Sequence, residues 1–259
     1  MRLAHLSDLH LLEATPTPRL RLRYLSFFRP LDAAARRAHA LTGLTAARAG
    51  GADHLVVTGD LTEEGTAAQF QVVADLLAES GWAGDRVTLL PGNHDRYAEP
   101  TAWADALDGP LAPWAGTSRT GTLVERDGAV IVPLDSSIPQ SWVSSAGNVS
   151  MDDVPAHDTL RDAARGRAVV LAVHHPPFRV RTHAVHGMRN HAALRARLCA
   201  CEGVQVLHGH IHRRADRELG VGGPRVYSAQ AITVDANALR LYDVADGRLV
   251  PHDEQALDA

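Results

Sequence analysis

The stretch Val87-Thr88-Leu89-Leu90-Pro91-Gly92-Asn93-His94-Asp95 runs from a short apolar segment through a Pro-Gly break into an amide, an imidazole and a carboxylate at consecutive positions. A turn at that place requires only Asn or Gly. The ordinary alternative, a Pro-Gly turn with incidental polar neighbours, gives no reason for His94 and Asp95. The same order, an apolar run and then a polar cluster, recurs outward in both directions. Upstream, Leu3–Leu6 precedes Ser7-Asp8-Leu9-His10, and His54–Thr58 leads into Gly59-Asp60. Downstream, Ala168–Val173 ends in His174-His175-Pro176-Pro177, and Val204–Leu207 in His208-Gly209-His210-Ile211-His212. Strand ends of an open α/β sheet meet along one edge, where sites form, so these clusters are expected to converge.

Between the runs lie amphipathic stretches. Leu31–Ala49 is Ala-rich, carries apolar residues at three- and four-residue spacing, and stops at Gly50-Gly51, which predicts a helix. Thr66–Glu79 predicts a second. Beyond Arg96 the pattern weakens through a Trp- and Pro-containing segment to Pro113. Strands over Gly121–Glu125 and Ala129–Leu134, a Ser-rich loop, and helices over Met151–Arg165 and Asn190–Cys199 are then expected. From Ala215 to about Val250 the chain reads as strands separated by turns at Gly222-Gly223, Asp235-Ala236-Asn237 and Asp246-Gly247. Strands alternating with covering helices predict an α/β sandwich. With no repeat, linker or low-complexity tract, residues 1–259 are expected to form a single domain.

The 259 residues, 45% hydrophobic and 22% charged, exclude collagen-like and wholly disordered classes. A formal charge of −4 denies the chain the broad basic field that holds a nucleic-acid backbone, and no basic stripe interleaved with aromatics suits tracking of long strands. No run approaches the roughly 18 apolar residues of a membrane span. Met1–Asp8 lacks the pattern of a secretory signal, so cytoplasmic residence is expected. Cys199 and Cys201 stand two apart on an expected helix end, where side chains diverge by about 200°. An intrahelical bridge is geometrically poor there, and both read as reduced thiols. The abnormal count is histidine, 15 against 5% aromatics, and metal ligation is the first explanation to pursue.

Taken singly, each cluster has two explanations. Asp8 and His10 can reach one ion from a turn, or Asp8 can cap the next turn. Asp60 has two oxygens able to bridge two ions, and it also suits a turn before the helix at Thr66. His174 and His175 alternate faces, so only one points readily at a common site while the other is packed or hydrogen-bonded. His208, His210 and His212 share a face in extended geometry, so two or more can reach metal. Together the clusters supply mixed oxygen and nitrogen ligands for two divalent ions sharing Asp60. Such ligands suit Mn, Fe, Zn or Co better than copper. Two such ions about 3.5 to 4 Å apart generate hydroxide at neutral pH and clamp phosphoryl oxygens, which is the chemistry of phosphoester hydrolysis.

The ordered set D-x-H, G-D, G-N-H-D, H-H-P-P and G-H-x-H, spanning Asp8 to His212, resembles the calcineurin-like metallophosphoesterases. The H-H-P-P and G-H-I-H contexts are most similar to the class III cyclic nucleotide phosphodiesterases and the related glycerophosphodiesterases. The resemblance implies a four-layer α/β/β/α sandwich with two mixed β-sheets flanked by helices. It also implies that Asp8, His10 and His212 hold one ion, that Asn93, His174 and His210 hold the other, and that Asp60 bridges them. A bridging hydroxide would attack phosphorus. His94 would stabilise the transition state or protonate the leaving oxygen, and Asp95 would orient His94 by accepting a hydrogen bond.

Hydrolysis of small phosphodiesters is the expected function, with 3′,5′-cyclic nucleotides among the candidates. A phosphomonoesterase would use the same ions. A non-catalytic scaffold is the third class, and His94 standing beside every expected ligand argues against it. Choice of substrate falls to the loops at Arg19–Phe28, Ser136–Val149 and Phe178–His191. Trp142 or Phe178 could stack on a nucleobase and Arg179, Arg181 or Arg189 could meet phosphate, although solvated loop positions explain each more simply. Phe27 and Phe28 suit packing or a subunit contact, which leaves a homo-oligomer open.

Overall fold

Apolar runs this short, bounded by Gly, Pro and polar residues, favour strands over helices. The computed structural model describes residues 1–14, 30–139 and 144–252. In it, β1 (Arg2–Leu6), β2 (His54–Val57) and β3 (Val87–Leu89) pair in parallel. The antiparallel β10 (Arg240–Ala245) and β11 (Arg248–Pro251) complete a five-stranded sheet of order β11-β10-β1-β2-β3. A second sheet comprises β4 (Val124–Arg126), β5 (Ala129–Leu134), β6 (Ala168–Val173), β7 (Val204–His208), β8 (Ala215–Glu218) and β9 (Arg225–Ser228). Its order is β4-β5-β6-β7-β9-β8, parallel from β5 to β9 and antiparallel at both edges.

The layers follow from period-two alternation along each strand. In β6, Val169, Leu171 and Val173 face a helical layer through Leu160 of α4 (His157–Ala164) and Leu194 and Leu198 of α6 (His191–Cys199). Ala168, Val170 and Ala172 face the other way, into a core shared with Leu3, Val56 and Tyr242 of the first sheet. The outer face of that first sheet packs Leu6, Leu55 and Leu89 against α1 (Ala33–Ala49), α2 (Ala67–Glu79) and α3 (Ala102–Asp108). The result is an α/β/β/α sandwich of two mixed sheets. Among the described residues no helix is long and apolar enough to cross a membrane.

Helix limits follow cap chemistry. Asp32 accepts the Ala35 N–H at 2.9 Å and Thr66 the Gln69 N–H at 3.3 Å, so α1 and α2 start one or two residues inside the expected ranges. The helix expected over Met151–Arg165 begins only at His157. Pro155 lacks an N–H and disfavours helical backbone at Val154, and Val154 instead buries itself in the core. The weakly patterned segment before Pro113 does contain a helix, α3, held by the buried Trp103. A further single turn, α5 (His183–His186), sits within one of the expected specificity loops.

A pH effect arises at the start of β2. His54 is buried, with Nε2 2.9 Å from Thr88 Oγ1 and Nδ1 accepting from Arg126 Nε at 3.1 Å. Burial, reinforced by the charges of Arg126 and Arg86, pushes its pKa from 6.5 down to about 3. In that window the unfolded chain binds a proton that the folded chain refuses. Stability is therefore lost as pH falls from 6.5 towards 3, with a slope of up to about 1.4 kcal/mol per pH unit from this group. His54→Gln should flatten the dependence of thermal midpoint on pH between 6.5 and 4, and an unchanged slope would contradict the assignment.

Candidate metal centre

At the strand ends the backbone turns into conformations that side chains rarely adopt. Asp8 (φ 56°), His10 (φ 45°), Asp60 (φ 50°), His210 (φ 68°) and His212 (φ 51°) are all left-handed. Each such residue costs about 1–2 kcal/mol, and strain of this kind collects where function requires it. This changes the expected geometry of the last cluster. Only His208 lies within β7, with Nδ1 2.9 Å from the Gly209 carbonyl oxygen. His210 and His212 reach the centre by reversal of the chain, not by extended alternation. Gly59 (φ 93°) is fixed by close approach, because a Cβ there would fall 2.6 Å from His174 Nδ1. A Cβ on Gly209 would run into Ser7 Oγ.

These turns bring the expected residues together. Ligand atoms of Asp8, His10, Asp60 and His212 lie within 4.8 Å of one another, and those of His174, His175 and His210 form a second such group. His174 Nε2 stands 3.4 Å from Asp60 Oδ2, which connects the two groups. His212 Nε2 is 3.1 Å from Asp8 Oδ1, and His10 Nε2 is 3.8 Å from Asp60 Oδ2. Asn93 lines the same cavity floor as Asp60 and His210.

Hydrogen bonds show which atom each residue can offer. His174 donates Nδ1–H to the Thr58 carbonyl at 2.6 Å, leaving Nε2 for the centre. His210 donates Nε2–H to the His186 carbonyl at 2.7 Å, leaving Nδ1. Asn93 donates its amide to Tyr97 Oη at 2.9 Å, leaving Oδ1. His175, the other member of the His-His pair, has both ring nitrogens engaged, by Ser136 Oγ at 2.8 Å and the Ser145 carbonyl at 2.9 Å. Asp8 Oδ1, Asn93 Oδ1 and His174 Nε2 are fully buried and make no hydrogen bond of proper geometry. An orphaned buried polar atom costs about 1–3 kcal/mol. Three within one constellation of carboxylates and imidazoles fit a pair of divalent cations, whose bonds would satisfy all of them.

A supporting layer surrounds these residues. Glu63, which the sequence does not single out, places Oε2 3.4 Å from His10 Nδ1 and pairs with the buried Arg36. Its backbone carbonyl lies 2.8 Å from His94 Nδ1, so one residue orients two imidazoles. Asp95 departs from expectation. It accepts from Gly92 N, Leu61 N, Thr62 N and Thr62 Oγ1 at 2.7–3.0 Å, and no hydrogen bond joins it to His94. Its carboxylate ties the turn before His94 to the loop after Asp60, while Glu63 orients the imidazole that Asp95 was expected to hold. Tyr97 bridges Asn93 and the Ser144 carbonyl.

A profile of the calcineurin-like phosphoesterases matches residues 1–214. The chain belongs to the calcineurin-like phosphoesterase family. Solved structures of the same fold include a dimetal phosphatase from Danio rerio, with TM-score 0.72 and 14% identity over 97% of this chain and 95% of that one. A protein from Thermus thermophilus aligns with TM-score 0.60 and 12% identity over 96% and 97%. A phosphopantetheinyl hydrolase from Mycobacterium tuberculosis gives TM-score 0.51 and 16% identity over 98% and 96%. At such identities the likeness is one of fold. No curated protein matches the chain.

Burial would raise the carboxyl pKa values in this calcineurin-like phosphoesterase, but the surrounding imidazoles outweigh it. His212 draws Asp8 below the usual carboxylate range, and His174, His94 and His10 do the same for Asp60. His174 is the converse case. Burial alone would lower it, yet the nearby charge of Asp60, with that of Asp8 and the hydrogen bond to the Thr58 carbonyl, raises it to about 9. Burial, then repulsion from Asp60, lifts Asp95 to about 6.

The centre forms the floor of a cavity of about 800 Å³. Phe178, Arg179 and Arg181 line it, and Arg189 does not. Phe178 is no open stacking platform, because the guanidinium of Arg217 lies over its ring, 3.9 Å from the centroid. Trp142, Phe27, Phe28 and the expected loop from Arg19 to Phe28 lie outside the described residues.

Proposed function

We propose that this phosphoesterase is a dinuclear phosphodiesterase of the cytoplasm acting on small diesters, 3′,5′-cyclic nucleotides included. The observation that carries the reading is the convergence of Asp8 Oδ1, Asn93 Oδ1 and His174 Nε2, all buried and unbonded, around Asp60. Asp8, His10 and His212 would hold one ion and Asn93, His174 and His210 the other, with Asp60 shared. When bound, such a pair supplies a hydroxide nucleophile at neutral pH and clamps phosphoryl oxygens.

The chain's own residues do the rest. Asp60 Oδ1 accepts the His94 N–H at 2.9 Å, which locks the turn carrying the imidazole to the shared carboxylate. With Nδ1 fixed on the Glu63 carbonyl, His94 can turn Nε2 to the cavity it lines. From there Nε2–H can bond a non-bridging oxygen or pass its proton to the departing alcohol. The cavity volume supports a diester, since a small monoester would fill little of it.

The purified protein with added Mn²⁺ should hydrolyse bis(p-nitrophenyl) phosphate faster than p-nitrophenyl phosphate at equal concentration, and chelation should abolish both activities. The reverse preference would establish a phosphomonoesterase. Absence of any metal-dependent turnover would sink the catalytic reading.

A further inference from the structure

The cavity wall carries more positive charge than the scissile group requires. Two divalent ions, offset by the carboxylates of Asp8 and Asp60 and by the hydroxide nucleophile, would already balance the single negative charge of a phosphodiester. Arg179, Arg181, Arg213, Arg214 and Arg217 nevertheless line the same cavity. Among the described residues Asp60, on the floor, is the only carboxylate lining it.

The local fold explains why no acid balances this wall. Alternation along β8 turns Ala215 and Arg217 to the cavity and sends Asp216 to the opposite face. There Asp216 accepts from both terminal guanidinium nitrogens of the buried Arg240, one of them at 2.8 Å. Asp216 is thus held by Arg240 and Glu218 does not line the cavity, while the guanidinium of Arg217 does. Arg217 is also placed. It stacks on Phe178, whose ring meets His208 edge-on at 5.5 Å and 78°. A guanidinium held flat on an aromatic face keeps its in-plane N–H groups for an anion.

Building on the phosphodiesterase reading, we propose that the cavity takes diesters whose alcohol carries a second, terminal phosphate, met by Arg217 together with Arg179, Arg181 and Arg213. A terminal phosphate offers three oxygens and close to two negative charges, which matches several guanidinium forks better than the two oxygens of a carboxylate do. A long polyanion is disfavoured because the arginines cluster around one cavity and do not form a stripe across the surface.

Two chromogenic diesters with the same scissile bond provide the test: thymidine 5′-(p-nitrophenyl phosphate), with and without a 3′-phosphate. Water adds at the 5′-phosphorus, the aryl P–O bond breaks and p-nitrophenolate leaves. The products are thymidine 3′,5′-bisphosphate and thymidine 5′-monophosphate respectively. The 3′-phosphorylated substrate should show a kcat/KM about tenfold or more higher, chiefly through KM. Calorimetry on the metal-loaded protein should show thymidine 3′,5′-bisphosphate binding tighter than the monophosphate by a similar factor. Both ratios should fall towards one when Arg181→Gln and Arg217→Gln are combined, and should persist in Arg189→Gln, which lies outside the cavity.

Equal kcat/KM and equal affinities, with diester turnover intact, would overturn the second-phosphate site and leave the phosphodiesterase reading standing. If no diester is turned over while the bisphosphate still binds about tenfold tighter, the anion site stands and the catalytic reading falls. Equal affinities without turnover would end both.

Discussion

Asp60→Ala should strip the centre of metal. Elemental analysis after dialysis should find less than half the wild-type metal per chain, and diester hydrolysis should fall by more than about a hundredfold. The reason is the double use of this carboxylate. Oδ2 lies 3.4 Å from His174 Nε2 and 3.8 Å from His10 Nε2, between the two ligand groups, while Oδ1 is committed to the His94 N–H. In the proposed centre its loss would remove a ligand from both ion positions at once. A pH signature accompanies the effect. Asp60 is the main reason that metal-free His174 titrates near 9 in place of 6.5. That raised value stabilises the metal-free fold below pH 6.5, and the contribution is lost as pH rises through 9. Metal must displace the same proton, so the apparent affinity of the wild type for Mn²⁺ should climb by up to about tenfold per pH unit from 6.5 to 9. The Ala variant should lack that climb. Full metal content in Asp60→Ala would remove the bridging role.

The legible part of this site is the part that strand periodicity controls. The apolar runs ending at Leu6, Thr58, Leu90, Val173 and Leu207 announce five strand ends, each within one residue of the observed one, and their topology brings Asp8, Asp60, Asn93, His174 and His210 to one edge. Periodicity stops where the strand stops. Extrapolating it through His210 and His212 therefore misses their left-handed backbone. The supporting layer is less legible still. Asp95 stands next to His94 in sequence, yet its hydrogen bonds go to the loop at Leu61 and Thr62, a partner selected by packing between β2 and β3. Glu63, three residues beyond Asp60 in a loop, reads as a solvated acid until Arg36 closes over it. Tyr97 carried a usable signal, since it follows Asn93 by four residues and one helical turn places the two side by side.

His94→Ala should show the opposite pattern to Asp60→Ala, with metal content retained and the rate lower by about two orders of magnitude or more. Retention follows from the bonding. Asp60 Oδ1 is held by the backbone N–H of residue 94, which alanine keeps, and the imidazole's Nδ1 is spent on the Glu63 carbonyl. The ring packs edge-on against His10, 4.5 Å between centroids, so under the proposed assignment its removal would open space beside a ligand without deleting one. The choice of leaving group then separates the two roles open to Nε2. p-Nitrophenolate departs without a proton, whereas an alkoxide from a ribose or glycerol diester requires one. If His94 is the general acid, the loss should be much larger for the alkyl diester than for the nitrophenyl one. If it only stabilises charge on a non-bridging oxygen, the two losses should match. Metal loss on replacing His94 would place the imidazole among the ligands and refute both roles.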